Sequence, residues 1–128
     1  MVTAGAMIFD DQGRILLLEH VFRPDSGWGI PGGFLSKGEQ PEAALRREMR
    51  EEIGIELANV ELLFARTLPR ERQIEIYFRA TALGTPEPCS FEIRSADWFS
   101  VADLPPELSE DQRRLIQRAL TSSENSYQ

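Results

Sequence analysis

The chain of 128 residues carries 41% hydrophobic and 27% charged residues, the balance of one folded domain with a core of its own. Its formal net charge of −7, from 21 Asp and Glu against 14 Lys and Arg, argues against a general nucleic-acid binder, which needs a basic face. Small phosphorylated ligands stay open, provided divalent cations sit between the two sets of negative charge. No apolar run approaches the ~18 residues of a membrane span, and the first residues do not resemble a secretory signal. Cys89 is the single cysteine, so neither an intrachain disulfide nor a thiolate zinc cluster is expected. A cytoplasmic protein without membrane contact fits these features.

In chain order, the apolar stretch from Val2 to Phe9 predicts a strand. The turn signal Asp10-Asp11-Gln12-Gly13 follows, then a second strand from Arg14 to Val21, so the two are expected to pair as a hairpin. Phe22 to Trp28 reads as a loop. Gly29-Ile30-Pro31-Gly32-Gly33-Phe34 is too rich in Gly and Pro for a regular element and points to a bent backbone where something approaches closely. Pro41 to Ile53 predicts a helix, with Pro41 in its first turn, Glu39 and Glu42 near its positive end and Gly54 as its stop. Strands are expected over Val60 to Phe64 and Gln73 to Leu83, a Pro-containing loop over Leu83 to Cys89, and a strand over Phe91 to Val101. Leu104-Pro105-Pro106 breaks the pattern. Ser109 to Gln112 reads as a capping box for a last helix running to about Leu120, before a polar end that is expected to fray. The whole is an α/β domain on a mixed sheet, spanning 1–121, with a polar tail at 122–128.

Glu48, Glu51 and Glu52 stand at i, i+3 and i+4 of the predicted helix, hence on one face, beside the apolar stripe of Leu45, Met49 and Ile53. Three like charges at the rim of a core repel one another, and a hard divalent cation removes that repulsion. From the helix alone, a solvated acidic face balanced by Arg46, Arg47 and Arg50 is an equal reading.

The surrounding sequence breaks the tie. From Gly33 the chain runs through five residues to Glu39, then seven residues to Arg47-Glu48-Met49, then Glu51-Glu52 and Gly54-Ile55. This resembles the Nudix box, G-x5-E-x7-R-E-U-x-E-E-x-G-U with U bulky and apolar, at every specified position. A chance match has a probability on the order of 10⁻¹⁰ per starting position. Trp28-Gly29-Ile30-Pro31-Gly32 before the box, and Trp98-Phe99 and Leu104-Pro105 after it, are also similar to the family.

The resemblance implies an α/β/α sandwich with a loop–helix–loop metal site. It implies that Glu48, Glu51 and Glu52, with the carbonyl of Gly32, hold Mg²⁺, with Mn²⁺ as a substitute. Gly33 then borders the phosphate, Arg47 orients the catalytic carboxylate, and Glu39 braces the same loop. The implied reaction is in-line attack of an activated water on phosphorus, a carboxylate taking the proton. Glu48 and Glu52 are candidate bases within the box. Glu71, Glu75 and Glu92 are candidates outside it, with Glu92 preferred. Trp28, Phe22, Tyr77 or Phe91 are candidates to stack on a base, and Arg23, Arg66, Arg70 and Arg72 to hold phosphates. Pro69 and Gln73 stand near the positions that mark ADP-ribose and dinucleoside polyphosphate hydrolases in the family, without matching either mark. The expected partner is a small nucleotide-type substrate, and the family analogy alone suggests a homodimer. The competing reading is a silent Nudix domain that binds a nucleotide or sugar nucleotide as a sensor; such domains usually lose box carboxylates, and this one keeps them.

Overall fold

The computed structural model describes residues 1–21 and 27–125, with no side-chain placement for 123–125. In chain order it contains β1 (Val2–Ile8), β2 (Ile15–His20), β3 (Trp28–Gly29), β4 (Gly32–Phe34), α1 (Pro41–Ile53), β5 (Glu56–Leu68), β6 (Gln73–Leu83), β7 (Ile93–Phe99) and α2 (Glu110–Asn125). Four strands form one sheet in the order β4-β1-β6-β5, and three form another in the order β3-β2-β7. The β1–β6 pair is parallel, while β1–β4 and β5–β6 are antiparallel, so the larger sheet is mixed.

The strands are two-faced, and the two faces build two cores. Ala4, Ala6 and Ile8 of β1, with Leu16 and Leu18 of β2, pack with Leu45, Met49 and Ile53 of α1. The alternate residues Met7, Ile15 and Leu17 pack with Leu115, Ile116 and Ala119 of α2. Period-2 alternation thus places a helix on each side, which is the α/β/α sandwich. Leu45, Met49 and Ile53 are fully buried, and each contributes roughly 1.5–3 kcal/mol of hydrophobic stabilisation. That stripe fixes the rotation of α1 and so decides where its carboxylates point.

Helix α1 starts after Gln40, with Pro41 in its first turn, and ends at Gly54 in the left-handed region at φ 67°. The Gly54 N–H donates to the Arg50 carbonyl at 3.2 Å, closing the last turn. Helix α2 begins after Ser109, whose hydroxyl accepts the Gln112 N–H at 3.2 Å. The reciprocal half of the expected capping box is missing. The Gln112 side chain instead accepts the Ile30 N–H at 2.9 Å, a tertiary partner that the local pattern does not contain. The helix also runs to Asn125, beyond the expected end near Leu120.

Three strand expectations need correction. β1 and β2 are not a hairpin: apart from the Phe9–Ile15 bridge they lie in different sheets, β1 beside β6 and β2 beside β7. The turn at Asp10 to Gly13 reverses the chain, but long-range pairing chooses the partners. The Gly-rich stretch holds two short strands, β3 beside β2 and β4 beside β1, and the bare backbone of β4 lies close against β1. A Cβ on Gly32 would come within 2.5 Å of the Ala4 carbonyl oxygen. Finally, β5 is far longer than Val60 to Phe64, since β6 supplies backbone partners from Glu56 to Leu68 across two register shifts.

Candidate active site

The carboxylate face of α1 lies against the glycines of β4. Glu52 is 8% exposed, the one charged residue buried among the described residues. Its Oε2 is buried without a hydrogen-bond partner. Burial pushes its carboxyl up to about 8, and the neighbouring Glu48, Glu92 and Glu51 add to the shift. Glu48 is close enough to share a hydrogen bond with it. A buried acid with an unsatisfied oxygen, next to a second acid, is costly unless a cation joins the pair.

Gly33 sits opposite Glu48. A Cβ there would collide with the Glu48 carboxyl carbon and come within 2.7 Å of both its oxygens. The glycine therefore leaves a recess that the Glu48 carboxylate fills. This donor set, two adjoining carboxylates with an oxygen lacking a partner, fits a hard divalent cation. Glu51 lies differently. It is mostly exposed and accepts from Arg47 Nη1 at 3.1 Å. Among the described residues no three carboxylates already converge as ligands.

Arg47 ties the loop to the helix. Its Nε and Nη2 donate to the two oxygens of Glu39 at 2.8 and 2.9 Å, a two-pronged pair. Nη1 donates to Glu48 at 3.0 Å, and Nη2 also reaches the Phe34 carbonyl at 3.2 Å. Glu39 additionally accepts the Ser36 N–H at 2.9 Å. The Arg47 guanidinium and that amide hold the Glu39 carboxyl well below its usual range, at about 2. The pairs with Glu39 and Glu48 raise Arg47 further above its ordinary value, against a smaller opposing effect of burial. One guanidinium thus couples the loop, β4 and the Glu48 carboxylate.

The Pro-containing loop after β6 is pinned to the same end of α1. The Cys89 N–H donates to the Glu52 carbonyl at 2.8 Å, and the Glu87 N–H to the Ile53 carbonyl at 3.1 Å. This brings the exposed Glu92 near enough for its charge to act on Glu52. Glu71 is exposed in the β5–β6 turn. Glu75 lies on the opposite side of the large sheet from Glu48, where it binds Arg66 at 2.7 Å and the Tyr77 hydroxyl at 3.1 Å.

On that opposite side a cleft of about 230 Å³ opens beside Gly32 and Gly33. Its walls include Phe34, Gln73, Glu75, Tyr77 and Gln112. Register explains the grouping: Phe34, Thr3, Glu75 and Arg66 lie in line across β4, β1, β6 and β5. Arg66 donates to both oxygens of Asp111 on α2 at 2.8 and 2.6 Å, so the cleft wall and the start of α2 are locked together.

Other candidates stand elsewhere. Trp28 packs edge-on against Phe99, with ring centroids 5.1 Å apart. Arg23 and Phe22 lie outside the described residues. Arg70 and Arg72 are exposed, and Phe91 is 82% exposed. Phe34 and Gln112 escaped sequence reasoning. Phe34 sits in a segment read as irregular, and the partner of Gln112 is distant in sequence; the signals available were the position of Phe34 just after the glycine pair and the departure of Gln112 from its cap.

A NUDIX domain model matches residues 1–119. The chain is 39% identical over 75 residues to the NAD-capped RNA hydrolase NudC of Pseudomonas aeruginosa, covering 58% of this chain and 27% of that protein. It is 35% identical over 95 residues to NudC of Deinococcus radiodurans, covering 70% and 33%. This chain therefore spans only about a quarter to a third of the curated relatives first matched. Among solved structures, the MutT NUDIX hydrolase from Burkholderia pseudomallei aligns with a TM-score of 0.74 at 31% identity, over 91% of this chain and 95% of that one. The NUDIX domain of Shewanella oneidensis NrtR, crystallised with ADP ribose, shares the fold at a TM-score of 0.77 and 24% identity, over 94% and 86%. The helix and glycine-strand geometry, the family match over 1–119 and the structural likeness over 91% of the chain together establish that this chain belongs to the Nudix hydrolase family.

Proposed function

We propose that this chain hydrolyses a phosphoanhydride bond in a small nucleoside diphosphate derivative or nucleotide, with Mg²⁺ as cofactor and Mn²⁺ as a substitute. The observation that carries the reading is the buried Glu52, with an oxygen lacking a partner, beside Glu48. Glu48, Glu51 and Glu52, with the Gly32 carbonyl, would hold the cation. When bound, Mg²⁺ neutralises phosphate oxygens and lowers the pKa of water. Arg47 keeps Glu48 oriented through its pairs with Glu39 and the Phe34 carbonyl. Gly33 carries no side chain, which leaves the Glu48 carboxylate room to lie against β4. Glu92, outside the Glu48–Glu52 pair, receives the proton of the attacking water. The working unit is one domain over 1–121 with a polar tail at 122–128.

The NudC relatives act, by name, on NAD-capped RNA, so a capped RNA end belongs among the substrates to be tried. The test is release of phosphate-containing products from ADP-ribose, NADH, sugar nucleotides, dinucleoside polyphosphates, (d)NTPs and an NAD-capped oligonucleotide, with Mg²⁺ and with EDTA. Mg²⁺-dependent cleavage of at least one compound, lost in Glu52→Gln, is expected. Tight binding without turnover of any of them overturns the reading in favour of a sensor.

A further inference from the structure

The last turn of a helix leaves carbonyls that have no partner within the helix. In α1 the Arg50 carbonyl takes the Gly54 N–H at 3.2 Å, which is a local bond. The Glu52 and Ile53 carbonyls are met from far along the chain, by the Cys89 N–H at 2.8 Å and the Glu87 N–H at 3.1 Å. The sequence of that loop explains the match. In Pro86-Glu87-Pro88-Cys89, amide donors alternate with prolines. Proline holds φ near about −65° and keeps the residue before it extended. In an extended chain alternate N–H groups point the same way. Glu87 and Cys89 therefore present both donors to α1. The prolines occupy the positions whose N–H would turn away from it. This strap lies close on the helix end, since a Cβ on Gly54 would come within 3.1 Å of Cys89 Sγ.

Directly after the strap the chain turns into β7. Ser90 closes the turn twice. Its carbonyl accepts the Ile93 N–H at 3.0 Å, and its hydroxyl accepts the Glu92 N–H at 3.1 Å. The Glu92 carbonyl accepts the Val21 N–H at 2.9 Å, from the residue after β2. Both backbone polar groups of Glu92 are thus held, by segments tied to the Glu52 carbonyl and to the end of β2. Its side chain is exposed, and near enough for its charge to act on Glu52. The Ser90 hydroxyl is the one side chain among these ties, so a substitution can remove it and leave the main-chain bonds in place.

We propose that Ser90 is a positioning residue for Glu92: its hydroxyl fixes the direction in which the Glu92 carboxylate is offered to the Glu48–Glu52 face, from a base that the strap anchors to α1. The proposal rests on the reading of Glu92 as the acceptor of the water's proton. Without the hydroxyl, the Glu92 N–H turns to solvent and the carboxylate spends less time in the productive orientation. A hydrogen bond of this kind is worth about 3–10-fold in an equilibrium. Only the step in which the proton moves should feel the loss, because Ser90 contacts neither phosphate nor cation in this role.

The test takes Ser90→Ala, Ser90→Thr, Glu92→Gln and the double variant Ser90→Ala/Glu92→Gln. With Mg²⁺ and a compound that the parent cleaves, Ser90→Ala should lower kcat about 3–10-fold and leave KM unchanged. Ser90→Thr keeps the hydroxyl and should restore kcat. In the Glu92→Gln background, Ser90→Ala should change kcat by less than about twofold, because the two residues act as one unit. In EDTA, hydrogen exchange reads the bond without turnover: the Glu92 amide should exchange at least about threefold faster in Ser90→Ala, with the Cys89 amide unchanged. A parent-like kcat in Ser90→Ala while Glu92→Gln is impaired overturns the positioning role alone. So does an equal fall in both backgrounds, a rise in KM with kcat unchanged, failure of Ser90→Thr to restore kcat, or unaltered exchange at Glu92. A parent-like kcat in Glu92→Gln overturns the reading of Glu92 as proton acceptor, and the proposal with it.

Discussion

Glu52→Gln separates what the buried carboxylate does for stability from what it does for chemistry. Burial and the adjacent acids push Glu52 from 4.5 to about 8. The folded state therefore holds this proton more tightly than the unfolded chain does. The contribution to stability is complete below about pH 4.5 and is lost as pH rises toward 8. At about 1.36 kcal/mol per pH unit the full interval sets a ceiling near 5 kcal/mol. Residual solvent access and sharing of charge with Glu48 bring the expectation to roughly 2–4 kcal/mol. Glutamine has the same shape without the charge. In EDTA at pH 8, Glu52→Gln should be more stable than the parent by that amount, which for a domain of this size moves the melting temperature by on the order of 10 °C. Near pH 4.5 the two proteins should melt together. Added Mg²⁺ should stabilise the parent by preferential binding to its folded form and leave the variant nearly unmoved. The assay is urea or thermal unfolding at both pH values, with EDTA and with Mg²⁺. A variant no more stable than the parent at pH 8, or a gap of equal size at both pH values, refutes the reasoning.

The neighbouring glycines should separate in the same way. Gly32→Ala presses a Cβ on the Ala4 carbonyl of β1 and should destabilise the fold by roughly 1–3 kcal/mol in urea titrations. Gly33→Ala meets the Glu48 carboxylate instead, so it should lower Mg²⁺ affinity and turnover with a smaller change in melting. Arg47→Lys removes the two-pronged contact with Glu39, and kcat should fall about 10–100-fold while the circular dichroism spectrum stays native. Glu92→Gln, at an exposed position, should lower kcat with unchanged urea stability; a kcat equal to the parent's removes Glu92 from the proton path.

Local chemistry was enough to determine the helix carrying the carboxylates. Pro41 at its start, Gly54 at its end and the stripe of Leu45, Met49 and Ile53 are all neighbours in sequence, and helix formation depends on such neighbours. The same holds for β6, whose alternation is written in one continuous run. The motif spacing identified the family and placed Glu48, Glu51 and Glu52 on one face. It left open which of the three is buried. Packing of that stripe turns Glu52 inward and Glu51 toward Arg47 and solvent. Strand partnership also lay beyond the sequence, because the β1–β6 and β2–β7 contacts join segments distant in the chain. The cleft beside Gly32 and Gly33 is a product of that pairing. Phe34, Glu75 and Gln112 come from three separate elements, and only the register of β4, β1 and β6 and the docking of α2 bring them together.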